Sequence, residues 1–209
     1  MRKWVWIIIA GGIIVYLRSR PRGFNPDELN NLLWDSVNGR WRSDEEVAEI
    51  LRDNPQMIPE PITSSEARVL SYLTEIEANA QRFNLDPALI AAIISKESSG
   101  DYSARGAVGE YGLMQLRLTT AQMFGFREDP DLLLNPSVNV RYGAEYLDWQ
   151  KQRYMGRSDP ISWAVSGYNA GTPEIDGGKF RNQGYVDSVI KYRLPRFRTL
   201  IDRAHGIYR

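Results

Sequence analysis

The chain reads as a mainly α-helical single domain behind a separate N-terminal segment, and three observations carry that reading. Val69, Leu73, Ile76, Ala80 and Phe83 recur at alternating spacings of four and three, the apolar stripe of an amphipathic helix. Asp86-Pro87 is a strong helix start, an N-cap followed by a proline where its missing amide costs nothing. Few segments alternate with period two, and no strong hairpin signal is present.

Taken in order, residues 1–22 form an N-terminal anchor. Arg2 and Lys3 precede an uncharged run from Trp4 to Leu17, and Arg18, Arg20 and Arg22 follow it. The run is shorter than the roughly 20 apolar residues of a comfortable span. Flanking Trp4, Trp6, Tyr16 and snorkelling arginines lengthen it. The rival reading is a cleaved signal peptide, but no small-x-small cleavage site follows Leu17, so an uncleaved anchor is expected. Positive charge on both sides leaves its orientation open.

Residues 23–62 are polar and proline-containing, a linker with one short helix begun by the capping-box pair Ser43 and Glu46 and ended by Asn54-Pro55. A flexible tether of that length averages roughly 35 Å end to end. Residues 63–209 make the domain. Helices are expected over the Val69–Phe83 stripe, from Pro87 to Glu97, around Thr119 and Ala121 up to Gly125, from Val138 to Gln152, from Ile161 to Ser166, and from Tyr185 to Leu200 with an interruption near Pro195.

Composition limits the chemistry. Of 209 residues 43% are apolar, enough for a real core. Lysine plus arginine number 26, as do aspartate plus glutamate, so there is no basic excess to mark a nucleic-acid partner. Cysteine is absent and His205 is the one histidine. Disulfides, thiol nucleophiles and zinc–thiolate sites are excluded together, and with a single histidine close to the chain end a Ser-His-Asp triad or multi-histidine metal centre is very hard to build. No metal and no organic cofactor is expected; the chemistry rests on carboxylates, hydroxyls and amides.

Glu97 is the carboxylate that fits. It lies seven, four and three residues after Ile90, Ile93 and Ile94, in line with an apolar face and near a helix C-terminus. Desolvation and the negative end of the helix dipole both oppose its ionisation. A glutamic acid kept protonated near neutral pH is what protonation of a glycosidic oxygen requires. Helical spacing alone leaves open that Glu97 is a solvated helix end. After it come Ser98-Ser99-Gly100, glycines at 106, 109 and 112, and then Leu113-Met114-Gln115; Tyr168-Asn169-Ala170-Gly171 follows a later apolar helix. Glycines allow backbone to approach a ligand closely.

Four ordered blocks then resemble the soluble lytic transglycosylase (SLT) domain family of the lysozyme-like superfamily: Glu97-Ser98, Gly109 to Gln115, Asn135-Pro136 to Tyr146-Leu147, and Tyr168 to Gly171 with Tyr185-Val186 beyond. The resemblance covers about Asn79 to Leu194. It implies a lysozyme-like helical domain that cleaves the MurNAc–GlcNAc bond of peptidoglycan glycan strands. In that scheme Glu97 protonates the glycosidic oxygen, then takes a proton from the muramic acid 6-hydroxyl, leaving a 1,6-anhydro end. Tyr168 would orient Glu97 and Ser98 would support the same carboxyl region. Gly112, Leu113, Met114, Gln115, Asn169, Ala170 and Gly171 would line the sugar cleft, and Tyr185 would close it. Asp101, Glu110 and Glu145 are candidates for a hydrolytic partner, each read first as a solvated charge. Departures from the family pattern are Gly106 in place of a substrate-binding serine, Leu118 in place of a proline, and Arg181 in place of a glutamate thought to meet the stem peptide.

The resemblance places the domain on the wall side of a membrane, or on a virion membrane if the protein is viral, held there by the N-terminal segment. Local wall opening then suits secretion-system assembly, envelope remodelling, or phage entry or lysis, with the assembly partners left unassigned. A goose-type lysozyme using water, and a catalytically inactive structural protein that only grips glycan, are the competing readings.

Overall fold

The computed structural model describes residues 62–205, together with 5–9, 12–16, 34–35, 40–41, 46 and 49. The residues from Ile62 to Thr199 form one compact unit; Met1–Pro61 and Leu200–Arg209 are grouped apart from it.

In the N-terminal region β1 (Val5–Ile9) pairs antiparallel with β2 (Gly12–Tyr16), and β3 (Trp34–Asp35) with β4 (Arg40–Trp41). Among the described residues no helix is long and apolar enough to cross a membrane. The segment expected as an anchor helix instead contributes two strands. Its isoleucines and valines, on both sides of the Gly11-Gly12 pair in sequence, suit paired strands as well as they suit a helix. The short helix expected from Ser43 lies almost wholly outside the described residues.

The main unit is helical, as predicted. Helix α1 (Ser64–Leu70) opens on a capping box: Glu66 N donates to Thr63 Oγ1 at 3.2 Å, and Thr63 N to Glu66 Oε2 at 2.8 Å. The single stripe expected from Val69 to Phe83 breaks at Ser71-Tyr72, so α2 (Leu73–Phe83) is a separate helix. It ends on Asn84 in a left-handed conformation at φ 49°. Helix α3 (Pro87–Glu97) starts where Asp86 accepts from Ala88 N at 2.8 Å. Every residue from Ala88 to Ile94 is buried, so α3 is apolar all round and runs through the core.

A two-stranded ribbon, β5 (Glu110–Tyr111) with β6 (Leu116–Arg117), follows. Then come α4 (Leu118–Met123), a 3₁₀ turn (Pro130–Leu134), α5 (Pro136–Arg153) and α6 (Pro160–Ala170). The Asp-Pro or Asn-Pro start recurs: Asp129 caps the 3₁₀ turn, Asn135 caps α5 and Asp159 caps α6. After a short ribbon, β7 (Ile175–Asp176) with β8 (Lys179–Phe180), the chain enters α7 (Gln183–Asp187), a wider π-type turn (Ser188–Arg193) and α8 (Leu194–Ala204). The interruption expected near Pro195 is this π turn, since a proline has no amide to continue the regular ladder.

Helix α5 packs on α2 and α6, while α3 packs on α1, α2 and the π turn. A second apolar cluster of Leu116, Ala121, Phe126, Leu133 and Tyr142 sits beneath the ribbon and α4. The C-terminal end of α3, the ribbon with α4, and the end of α6 therefore surround one cleft.

Candidate active site

Glu97 stands at the end of a helix that cannot move without opening the core, and it lines a cleft of about 430 Å³. Glu110, Gln115, Leu116, Arg117, Thr119 and Thr120 form one wall; Tyr146 and Tyr168 to Gly171 form the other. Burial pushes the Glu97 carboxyl above its ordinary value; the Tyr185 hydrogen bond and Lys96 pull it down, and Glu110 pushes it further up. The Tyr185 hydroxyl donates to Glu97 Oε1 at 2.5 Å. Burial holds the Tyr185 phenol well above its usual range, so it stays a donor. Lys96 Nζ lies 5.9 Å from the centre of the Tyr185 ring.

The tyrosine that reaches Glu97 is not the one expected from sequence. Tyr168 is 8% exposed and donates its hydroxyl to the Met114 carbonyl at 2.8 Å, not to Glu97. A phenol has one proton to give, and the turn beside it claims that proton. Tyr185, expected only to close the cleft, is the residue whose hydroxyl reaches the carboxylate.

Ser98 fastens the end of α3 to the glycine loop. Its hydroxyl donates to Leu113 O at 2.8 Å and accepts from Gly100 N at 3.2 Å. Ser99 at φ 55° and Gly100 at φ 79° turn the chain away, and a Cβ on Gly100 would stand 2.8 Å from that of Arg68. Gly112, at φ 70°, admits no side chain either, because a Cβ would meet Asn139 Nδ2 at 2.6 Å and Leu133 O at 2.7 Å.

Within the predicted cleft-lining block the structure separates lining from support. Gln115 lines the cleft, at φ 46°, with Nε2 donating to Gly112 O at 2.8 Å and Ala104 O at 3.2 Å. Leu113 and Met114 are fully buried, and Gly112 is backbone support, so these three do not line the cleft. Apolar side chains gain more from the core than from a wet cleft. Met114 packs against Gly143, where a Cβ would come within 2.4 Å of its sulfur. Asn169, Ala170 and Gly171 do line the cleft, and Asn169 Oδ1 accepts from Asn182 Nδ2 at 3.0 Å.

Two buried carboxamides hold the walls. Asn139 Nδ2 donates to Tyr111 O and Leu133 O, each at 2.7 Å, and Oδ1 accepts from Met114 N at 2.7 Å. Gln150 Nε2 donates to Gly167 O at 2.9 Å and Gly171 O at 3.0 Å, while Arg153 donates to Gln150 Oε1 at 3.1 Å. Sequence reasoning missed Gln150, Arg117, Thr119 and Thr120 as parts of the site. Glu110, expected as a solvated charge, has a side chain only 19% exposed that lines the cleft. The register that pairs it with Arg117 was the missing signal. Asp101 binds only its own turn through Ser103, and Glu145 is not among the lining residues. Among the described residues no three acidic or histidine side chains converge as a metal site.

The model of the transglycosylase SLT domain family matches residues 74–186, more than half of the chain. The chain belongs to this family. Every site residue from Glu97 to Tyr185 lies inside the SLT match. A transglycosylase of Enterobacteria phage PRD1 is 32% identical over 122 residues, 58% of this chain and 43% of that protein. The membrane-bound lytic murein transglycosylase C of Glaesserella parasuis is 31% identical over 129 residues, 56% of this chain and 35% of that one. The chain thus spans less than half the length of these curated SLT relatives. The lytic transglycosylase Slt of Pseudomonas aeruginosa aligns with a TM-score of 0.49 at 23% identity, over 65% of this chain and 24% of that one.

Proposed function

We propose that the protein is a peptidoglycan lytic transglycosylase, with Glu97 as its acid and base. The observation that carries the reading is a partly desolvated glutamic acid, fixed by a phenol, in a cleft lined by amides, hydroxyls and the Glu110–Arg117 pair. Burial keeps Glu97 protonated higher in pH than an exposed glutamate, so it can protonate the oxygen between N-acetylmuramic acid and N-acetylglucosamine. The resulting carboxylate then takes the proton from the muramic acid 6-hydroxyl as that oxygen attacks the anomeric carbon. Water is neither consumed nor released, and the product ends in 1,6-anhydromuramic acid. General acid help of this kind is worth roughly 10²–10⁴-fold in rate. The setting that suits it is a membrane surface, where it opens the wall locally; a relative named membrane-bound and another from a phage support that setting.

The test is the mass of the fragments released from purified sacculi by the full chain and by Glu97→Gln. Anhydro ends, one water lighter than reducing ends and absent with the variant, are expected. Reducing ends would instead assign a lysozyme-type hydrolysis, with Glu110 as the second carboxylate in the cleft. A folded wild-type chain that releases nothing would sink both and leave a structural role.

A further inference from the structure

Glu110 occupies a position the cleft makes specially for it. The loop folds back on itself, Gly106 N donating to Glu110 O at 2.9 Å and Gly109 N to Gly106 O at 3.2 Å. That fold lays the carboxylate over Gly106: a Cβ there would come within 2.2 Å of Glu110 Oε2 and 2.9 Å of Gln115 Oε1. Gly106 is not among the positive-φ glycines, so backbone strain does not demand a glycine. The space a side chain at 106 would fill is taken by the Glu110 carboxylate, with Gln115 Oε1 and Glu110 Cβ beside it at 2.9 Å each.

The partners of Glu110 leave it acceptor capacity. Arg117 Nε and Nη2 reach Oε1 at 3.3 Å each, and Val108 N reaches Oε2 at 3.2 Å. All three are long, and a carboxylate has about four lone-pair sites. Arg117 is 58% exposed, and an ion pair with so exposed a partner adds little to stability. Holding the fold together therefore does not account for a mostly buried carboxylate beside Gln115 and Glu97 in the cleft wall.

We propose that Glu110 is a substrate-binding, specificity-determining residue, accepting hydrogen bonds from O–H or N–H groups of the amino sugar bound beside Glu97, and that the missing side chain at Gly106 admits it there. This rests on the glycan-cleaving reading above. Around Glu97 stand the Tyr185 hydroxyl from α7, Tyr168 from α6, Lys96 from its own helix and Glu110 from the ribbon. Glu110 is the like charge among them, so it also helps Glu97 keep its proton.

The test measures kcat and KM on purified soluble glycan strands for the full wild-type chain, Glu110→Gln and Gly106→Ala. Glu110→Gln should raise KM about ten-fold while kcat at its own optimum changes less than about three-fold. The alkaline limb of its pH profile should also move to lower pH, because the like charge beside Glu97 is gone, while the rise in KM is what a merely structural carboxylate would not cause. Gly106→Ala expels the carboxylate without deleting it and should raise KM similarly, yet add little in a Glu110→Ala background. An active wild type with KM unchanged in both single variants overturns the role of Glu110 and leaves the transglycosylase reading standing. So does a loss fully accounted for by a lower Tm, or one confined to kcat. An inactive wild type overturns the reading itself.

Discussion

Tyr185 lies 88 residues beyond Glu97 in the chain and donates its hydroxyl to that carboxylate at 2.5 Å, while Tyr168, buried close by, gives its proton to the Met114 carbonyl. Two phenols near one acid thus do separate work: one holds the carboxyl, the other holds the turn that floors the cleft.

Tyr185→Phe removes a donor that favours the charged form of Glu97, so the carboxyl should titrate higher still. The alkaline limb of the kcat profile should move to higher pH, opposite to the shift for Glu110→Gln. The freed carboxyl loses its fixed geometry, and kcat should fall roughly ten- to hundred-fold. Tyr168→Phe should lower Tm but leave that limb in place. A pH–rate profile of each variant checks both.

Glu97 should be a burden to the fold. Its carboxyl titrates above the ordinary 4.5 in the native chain. Between that value and the native one the folded state binds more protons than the unfolded state, so stability falls as pH rises through the window. Glu97→Gln should therefore melt at higher temperature than wild type at pH 8 and at the same temperature at pH 4, by calorimetry in matched buffers.

Glu66 carries the reverse sign. Its hydrogen bond from Arg196, followed by that from the Thr63 amide, holds it below 4.5 against the cost of burial. It stabilises the fold above 4.5, and the contribution is lost as pH falls through its lowered native value. Both side chains are mostly buried, so Glu66→Ala should cost about 3 kcal/mol near neutral pH, the capping box included. Its acid unfolding curve should be flatter than that of wild type.

Two glycines of the same loop should respond differently to alanine. Gly109 has φ 85° and nothing within 4 Å of a built Cβ, so only left-handed strain is added, about 1–2 kcal/mol. Gly112→Ala adds strain plus collisions with Asn139 and Leu133, and should cost at least about 3 kcal/mol and most of the activity. Denaturant midpoints measured beside activity separate the two.

Much of this was legible in the chain itself. Asp86-Pro87 and the apolar run to Ile94 placed α3 at the bounds it adopts, because capping and burial are local rules. The acid, the glycine loop and the Tyr168 loop were recognisable as blocks, and they do meet at one cleft. What stayed hidden was direction. Nothing local tells whether Tyr168 or Tyr185 points at Glu97, because the choice depends on how α6 and α7 pack. Met114 and Leu113 look like lining residues beside Gln115, yet the turn packs both into the core and leaves only the residue after them at the cleft. The break at Ser71-Tyr72 was equally invisible, since the apolar stripe continues through it.

Asn139 and Gln150 fasten the two walls with seven hydrogen bonds, and neither carries a charge at any working pH. A frame built from salt bridges would tighten and slacken as neighbouring groups gained and lost protons. Neutral amides do not. On the proposed reaction, the proton that Glu97 would give up and take back in each turnover would alter the field inside the cleft while its outline stays put, so that a long polymer would be cut repeatedly in a mould that does not breathe with the chemistry.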